Sequence, residues 1–260
     1  MKISLKSKRD LELMRAAGRL VHRALSRAKE LAKAGMTTLE LDRIVYDTYT
    51  SAGGQGLFKW YPTYEAGKGF PGNTCISVND EVVHGIPSER MLKDGDIVSV
   101  DCGIRLGGFC GDSAVTLLIG NVSPEAKRLC EVTQETLAIA VREIRPGRRW
   151  SDVAAKMQEH VEANGMSCVR EFVGHGIGAR MHEDPKVPNF VSGDFLKRGD
   201  FYLQPGMTLA VEPMVILGKP DVVVLDDRWT VVTKDSTPAA HYEHTIAVTA
   251  TGSDVLTDGR

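Results

Sequence analysis

The segment Gly95–Gly120, GDIVSVDCGIRLGGFCGDSAVTLLIG, decides the fold. It reads as two β-strands joined by a tight turn at Leu106-Gly107-Gly108. Ile97, Val98, Val100 and Ile104 on one side, and Val115, Leu117 and Leu118 on the other, are β-formers, and the glycines permit the positive φ of a hairpin turn. Two carboxylates, Asp101 and Asp112, sit inside these strands. With the turn centred on Leu106 and Gly107, residues whose numbers sum to 213 face each other, which makes Asp101 and Asp112 direct cross-strand partners. Like charges directly opposite are unfavourable, and burial makes them costlier. A single strand Asp reads most simply as an edge or turn residue facing water. Two in register call for something positive between them, and a divalent metal is the simplest such group.

Around this hairpin the chain has 260 residues, 42% hydrophobic and 25% charged, an ordinary composition for a globular protein. It is read as one catalytic domain over residues 1–260. A net charge of −2 offers none of the basic field that nucleic-acid binding needs. No apolar run approaches the roughly 18 residues of a membrane span. The start, MKISLKSKRD, lacks the apolar stretch of a secretory signal. Cysteines 75, 102, 110, 130 and 168 are odd in number and include no CxxC pair. They read as reduced thiols of a cytoplasmic protein.

Four main helices are expected. Asp10–Ala34 carries Leu11, Met14, Ala17, Val21, Ala24, Leu25 and Ala28 at helical spacing, with Gly35 closing it. Its basic opposite face reads as solvated. Thr37 and Glu40 form a capping box for a helix over about 38–52. Ser123-Pro124 opens a helix to about Ile144, and Ser151 caps one that runs to Asn164. Residues 55–74 hold Phe58, Trp60, Tyr61, Tyr64 and Phe70 with no clean period and read as short strands and a surface loop. Cys75 to Val83 reads as two strands about an Asn79-Asp80 turn. Beyond Gly165 only strands and loops are expected.

The two halves, about 10–120 and 123–250, resemble each other. VVHGIP (82–87) matches VGHGIG (173–178), setting His84 against His175, and GDIVSVD (95–101) matches GMTLAVE (206–212), setting Asp101 against Glu212. The second helix of each half is framed by glycines at the same spacing, 35 to 53 and 147 to 165. The expected architecture is therefore α+β: duplicated halves about a pseudo-two-fold axis, sharing a central curved antiparallel sheet whose one face is covered by the four helices. Residues 101, 112, 212 and 243 would converge on the other face. Four carboxylates, Asp101, Asp112, Glu212 and Glu243, with one imidazole, His175, suit two divalent ions better than one structural zinc, and four negative charges balance two M²⁺. Taken singly, Glu212 at a strand end, Glu243 between two histidines and His175 among glycines also read as surface or turn positions.

The set VVHGIP, VDCG–FCGDSA, VGHGIG–MHEDP, AVEPM and YEHTIAV resembles the type I methionine aminopeptidases, metallo-aminopeptidases of the pita-bread fold, in their bacterial short form. The likeness runs from the first helix to Thr249. It implies two divalent ions, with relatives running on cobalt, manganese, iron, zinc or nickel. Asp101 would be a bidentate ligand of one ion, Asp112 and Glu243 would bridge both, and His175 and Glu212 would complete the second. Glu212 would also be the general base toward a water shared by the ions. His84 and His182 would hydrogen-bond the scissile amide or the tetrahedral intermediate without ligating. Cys75, Phe70 and Trp229 would line the pocket for the methionine side chain. Four positions depart from the pattern: Gly67 and Phe70 where Tyr is common, Met181 where Phe is common, and His241 where Gln is common. They bear on the shape of the pocket.

The implied activity is removal of N-terminal methionine from nascent chains with a small second residue. It would take place in the cytoplasm near the ribosome, by a monomer that needs neither nucleic acid nor membrane. Two alternatives stand beside it. An aminopeptidase P or prolidase specificity on the same fold goes with an extra N-terminal domain, whereas only about 80 residues precede His84 here. A non-catalytic binding relative goes with lost ligands, whereas all five are present.

Overall fold

The computed structural model describes residues 2–62 and 69–260; Tyr64 and Gly67 lie outside the described residues. The first half carries helices α1 (Lys8–Leu31) and α2 (Thr38–Thr50), then strands β1 (Gln55–Gly56), β2 (Cys75–Val78), β3 (Glu81–Val83), β4 (Ile97–Leu106) and β5 (Phe109–Leu118). The second half carries α3 (Pro124–Glu143), α4 (Trp150–Ala163), β6 (Ser167–Cys168), β7 (Gly174–Gly176), β8 (Glu183–Val187) and a short α5 (Gly193–Arg198). It continues with β9 (Thr208–Val211), β10 (Met214–Ile216), β11 (Val222–Val224), β12 (Val231–Thr233), β13 (Ala239–His241), β14 (Glu243–Val248) and β15 (Ser253–Val255).

Among the described residues the main sheet is antiparallel and curled, in the order β1-β4-β5-β14-β9-β7-β8, with β2 also on β4 and β15 also on β14. The two halves join where β5 pairs with β14. Even-numbered residues of β4, Val98, Val100, Cys102 and Ile104, pack with Leu20, Val21 and Leu41 of α1 and α2. In the second half, Leu209, Val211 and Ile246 pack with Leu137, Trp150 and Met157 of α3 and α4. Because strand side chains alternate, the residues between them are left for the opposite face. α1 lies close on β5: a Cβ on Gly18 would stand 2.0 Å from the Leu256 carbonyl oxygen, and one on Gly111 would stand 2.9 Å from the Gly18 nitrogen.

Several expectations are corrected. The hairpin turn is Gly107-Gly108, with φ +60° and +87°, so facing residues sum to 215, not 213: Asp101 faces Ala114 and Gly103 faces Asp112. A two-residue turn of this hand needs positive φ at both central positions, which two glycines supply and Leu106 would resist. The even offset keeps both carboxylates on one face as diagonal neighbours. α1 starts two residues earlier than expected, through a capping box of Ser7 and Asp10, and ends at Leu31, with Gly35 in the turn beyond. Ser151 is not the cap of α4. Arg149 holds that position without a side-chain bond, and Ser151 instead donates from Oγ and its amide to Asp200 at 2.8 and 3.1 Å. α5 was not expected. The strand expected over Cys168–Val173 is Ser167–Cys168 alone, and Val169–Val173 is loop.

Candidate active site

The register assembles the site. Ala114 pairs with Asp101 on one side and Glu243 on the other. Continuing the His244–Val211 pairing by one residue sets Glu212, just past β9, across from Glu243. The neighbouring row on the same face holds the Gly103–Asp112 pair and, further on, Thr245, Ala210 and His175. The two parts meet where the Asp112 amide donates to Thr245 Oγ1 at 3.0 Å and that hydroxyl donates to the Asp112 carbonyl at 2.9 Å. Gly103 leaves the space that Asp112 fills: a Cβ there would stand 3.2 Å from Asp112 Oδ1 and 2.8 Å from Phe58 Cε1.

These side chains converge on a cavity of about 180 Å³. All ten residues singled out from the sequence line it: Asp101, Asp112, His175, Glu212 and Glu243; His84 and His182; Cys75, Phe70 and Trp229. Phe58, Tyr61 and Met181 complete the wall. Ligand atoms of Asp112, His175 and Glu243 lie within 4.8 Å of one another. Asp101 and Glu212 border the same cavity outside that trio.

The cavity concentrates buried carboxyl groups. Burial first, and then the charges of Asp112 and Glu212, push Asp101 and Glu243 well above the usual carboxylate range. Burial pushes Asp112 up to about 7, and burial with the Asp112 charge pushes Glu212 to about 8. Asp101 Oδ1, Asp112 Oδ1 and Glu243 Oε1 are buried with no hydrogen-bond partner. Orphaned carboxylate oxygens are expensive unless a cation completes them. His175 Nδ1 lies 2.9 Å from the Gly176 carbonyl. A donated bond there leaves Nε2 with its lone pair, as metal-bound imidazoles are arranged. That Nε2 stands 4.0 Å from Asp112 Oδ2 and 3.8 Å from Glu212 Oε1. This is too long for a hydrogen bond and suits atoms that share an ion about 2.0–2.6 Å from each. The residues therefore fit divalent cations.

The other two histidines reach the cavity from loops. His84 adopts φ +60°, and its neighbour Gly85 accepts from Ile76 N at 2.9 Å and donates to Ser77 Oγ at 3.0 Å. A non-glycine residue held in this region marks a site where backbone strain is tolerated for placement. His182 precedes Glu183, whose carboxylate meets the buried Lys6 ammonium at 2.7 Å. Burial lowers His84 to about 4 and His175 to about 3, and lowers His182 as well. All three are neutral near pH 7. Phe70 and Trp229 meet edge to face at 5.2 Å, and Cys75 pairs with Asp101 across β2 and β4. His241, flagged as a departure, is buried beside Glu212 with Nε2 3.9 Å from Oε2. Phe58 and Tyr61 carried no periodic signal, since they reach the cavity from an irregular segment.

The model of metallopeptidase family M24 matches residues 12–250. The chain is 46% identical over 255 residues to the methionine aminopeptidase of Clostridium perfringens, covering 98% of each. It is equally identical to methionine aminopeptidase 1 of Bacillus subtilis, covering 98% of this chain and 99% of that one. The crystal structure of the methionine aminopeptidase of Thermotoga maritima superposes with a TM-score of 0.91 at 41% identity, over 98% of this chain and 99% of that one. The architecture is accordingly the pita-bread fold. With a cavity of buried carboxylates, the fold and a near full-length likeness in agreement, the chain belongs to metallopeptidase family M24, on its methionine aminopeptidase branch.

Proposed function

We propose that this chain removes N-terminal methionine from polypeptides whose second residue is small, with two divalent cations held by Asp101, Asp112, His175, Glu212 and Glu243. The observation that carries this reading is the set of partnerless buried carboxylate oxygens in one cavity. Its partners are the N-termini of nascent chains, met near the ribosome. The working unit is a cytoplasmic monomer, one catalytic domain built from the halves at about 10–120 and 123–250. Among the described residues no helix is long and apolar enough to cross a membrane.

Divalent cations held there would neutralise the carboxylates and supply the Lewis acidity that activates a water and the scissile carbonyl. Asp112 and Glu243, on facing strands, would hold the cations together with Asp101, His175 and Glu212. Glu212 accepts the proton of the attacking water at its carboxylate and returns it to the leaving amine. His84 and His182, being neutral, donate hydrogen bonds toward the scissile amide and the oxyanion as it forms. Replacing either by Ala is expected to lower turnover about 10²-fold, as for one lost oxyanion contact, with metal content unchanged. Metal loss measured in either variant would make that residue a ligand instead.

Specificity supplies the test. Phe58, Phe70, Cys75, Met181 and Trp229 make an apolar slot suited to an unbranched side chain. A branch or an extra methylene in such a slot is worth about 1–3 kcal/mol. Norleucine in first position is expected within about tenfold of methionine, with Leu, Val and Phe poor. Met-Gly, Met-Ala and Met-Ser peptides should be cut, and Met-Leu, Met-Lys and Met-Glu should not. A peptide panel read by mass decides it. Cleavage before proline whatever the first residue would replace this reading by that of aminopeptidase P.

A further inference from the structure

Tyr61 lines the same cavity, and its hydroxyl lies 2.8 Å from His182 Nδ1. The two rings also meet edge to face at 5.4 Å. Two hydrogen bonds hold the Tyr61 backbone: its amide donates to the Phe58 carbonyl at 2.8 Å, and its carbonyl accepts from Phe70 N at 3.0 Å. On its other side the His182 ring faces the His175 ring at 4.2 Å. With Nδ1 engaged, Nε2 is the nitrogen that His182 has left for a substrate.

We propose that Tyr61 is a positioning residue: its hydroxyl donates to Nδ1 of His182 and so holds the neutral imidazole in the tautomer that carries its proton on Nε2. A neutral imidazole has one donor and one acceptor nitrogen, and the bond made by one sets the role of the other. A donor at Nε2 is what a carbonyl becoming an oxyanion needs. The reverse tautomer would offer a lone pair and repel it. This rests on the reading that His182 contacts the scissile group.

The test compares wild type, Tyr61→Phe, His182→Ala and the double variant, all manganese-loaded, on Met-Ala-Ser. Tyr61→Phe keeps the ring and is expected to lower kcat about tenfold, the scale of one lost hydrogen bond, with KM within about twofold. In the His182→Ala background it should change nothing further. An unchanged kcat in Tyr61→Phe, or additive losses in the double variant, would overturn the proposal. Long-range ¹H–¹⁵N spectra of histidine-labelled, metal-free protein read the tautomer directly. The His182 signals, assigned by their absence in His182→Ala, should show a single Nε2–H form in wild type and lose that form in Tyr61→Phe. An Nδ1–H form in wild type, or identical spectra in the two proteins, overturns it. If wild type released no methionine, the functional reading would fall and the spectra would still decide the tautomer.

Discussion

Glu212→Gln is expected to lower methionine release by about 10²–10⁴-fold, the range for loss of a general base, while the chain still folds. Glu212 sits one register step beyond the His244–Val211 pair, and its main-chain carbonyl accepts from Asn189 Nδ2 at 2.9 Å. That bond survives a change of the side-chain terminus. Gln keeps the shape but cannot take a proton from water, and it is a poorer partner for a cation than a carboxylate. The substitution also removes one of four crowded carboxylates; burial first, and then the Asp112 charge, raise the pKa of Glu212. Metal-free Glu212→Gln should therefore melt no lower at pH 8 than metal-free wild type. Kinetics and thermal melts on the same samples separate the two effects. A variant that keeps more than about a tenth of wild-type rate would remove Glu212 from the role of base.

Chelation is expected to abolish turnover and lower thermal stability together, because ions that bind only the folded chain add to its stability. At ion concentrations about 100 times the dissociation constant the loss is about 2.7 kcal/mol, or about 5–10 °C in Tm for a chain of this size. The loss should depend on pH with a definite sign. In the metal-free fold the ordinary carboxyl values of 3.8 and 4.5 rise to about 7 for Asp112 and about 8 for Glu212. Between those limits the folded chain binds more protons than the unfolded one, so metal-free stability falls as pH rises from about 4 to about 8. Added cations should therefore raise Tm more at pH 8 than at pH 5. Melts with and without chelator across that range measure it, and an equal rise at both pH values would contradict the carboxylate cluster as the binding site.

The parts of the fold that were legible in the chain are those set by local chemistry. The β-formers and turn glycines in residues 97–118 marked the hairpin, and the Thr37–Glu40 box marked the start of α2, because each signal lies within a few residues of its effect. The candidate ligands were legible because charge inside an apolar strand pattern is costly and therefore informative. Their register was not. Leu106-Gly107 and Gly107-Gly108 differ by one position, and only the demand for positive φ at both turn residues chooses between them. Ser151 misled because its partner, Asp200, lies on a distant segment, so the serine resembled a cap while making a tertiary contact. Tyr61 was hidden for the same reason: an aromatic residue in a segment without a period has no local feature that aims it at His182.

The measurement that bears most directly on the account is a titration of metal-stripped protein with manganese, following free methionine from Met-Ala-Ser and the ions bound per chain. Predicted is no release before addition, then release that rises to a plateau as two ions bind. Full release by the metal-stripped protein, or no release at full occupancy with manganese, cobalt, iron, zinc or nickel, would contradict it.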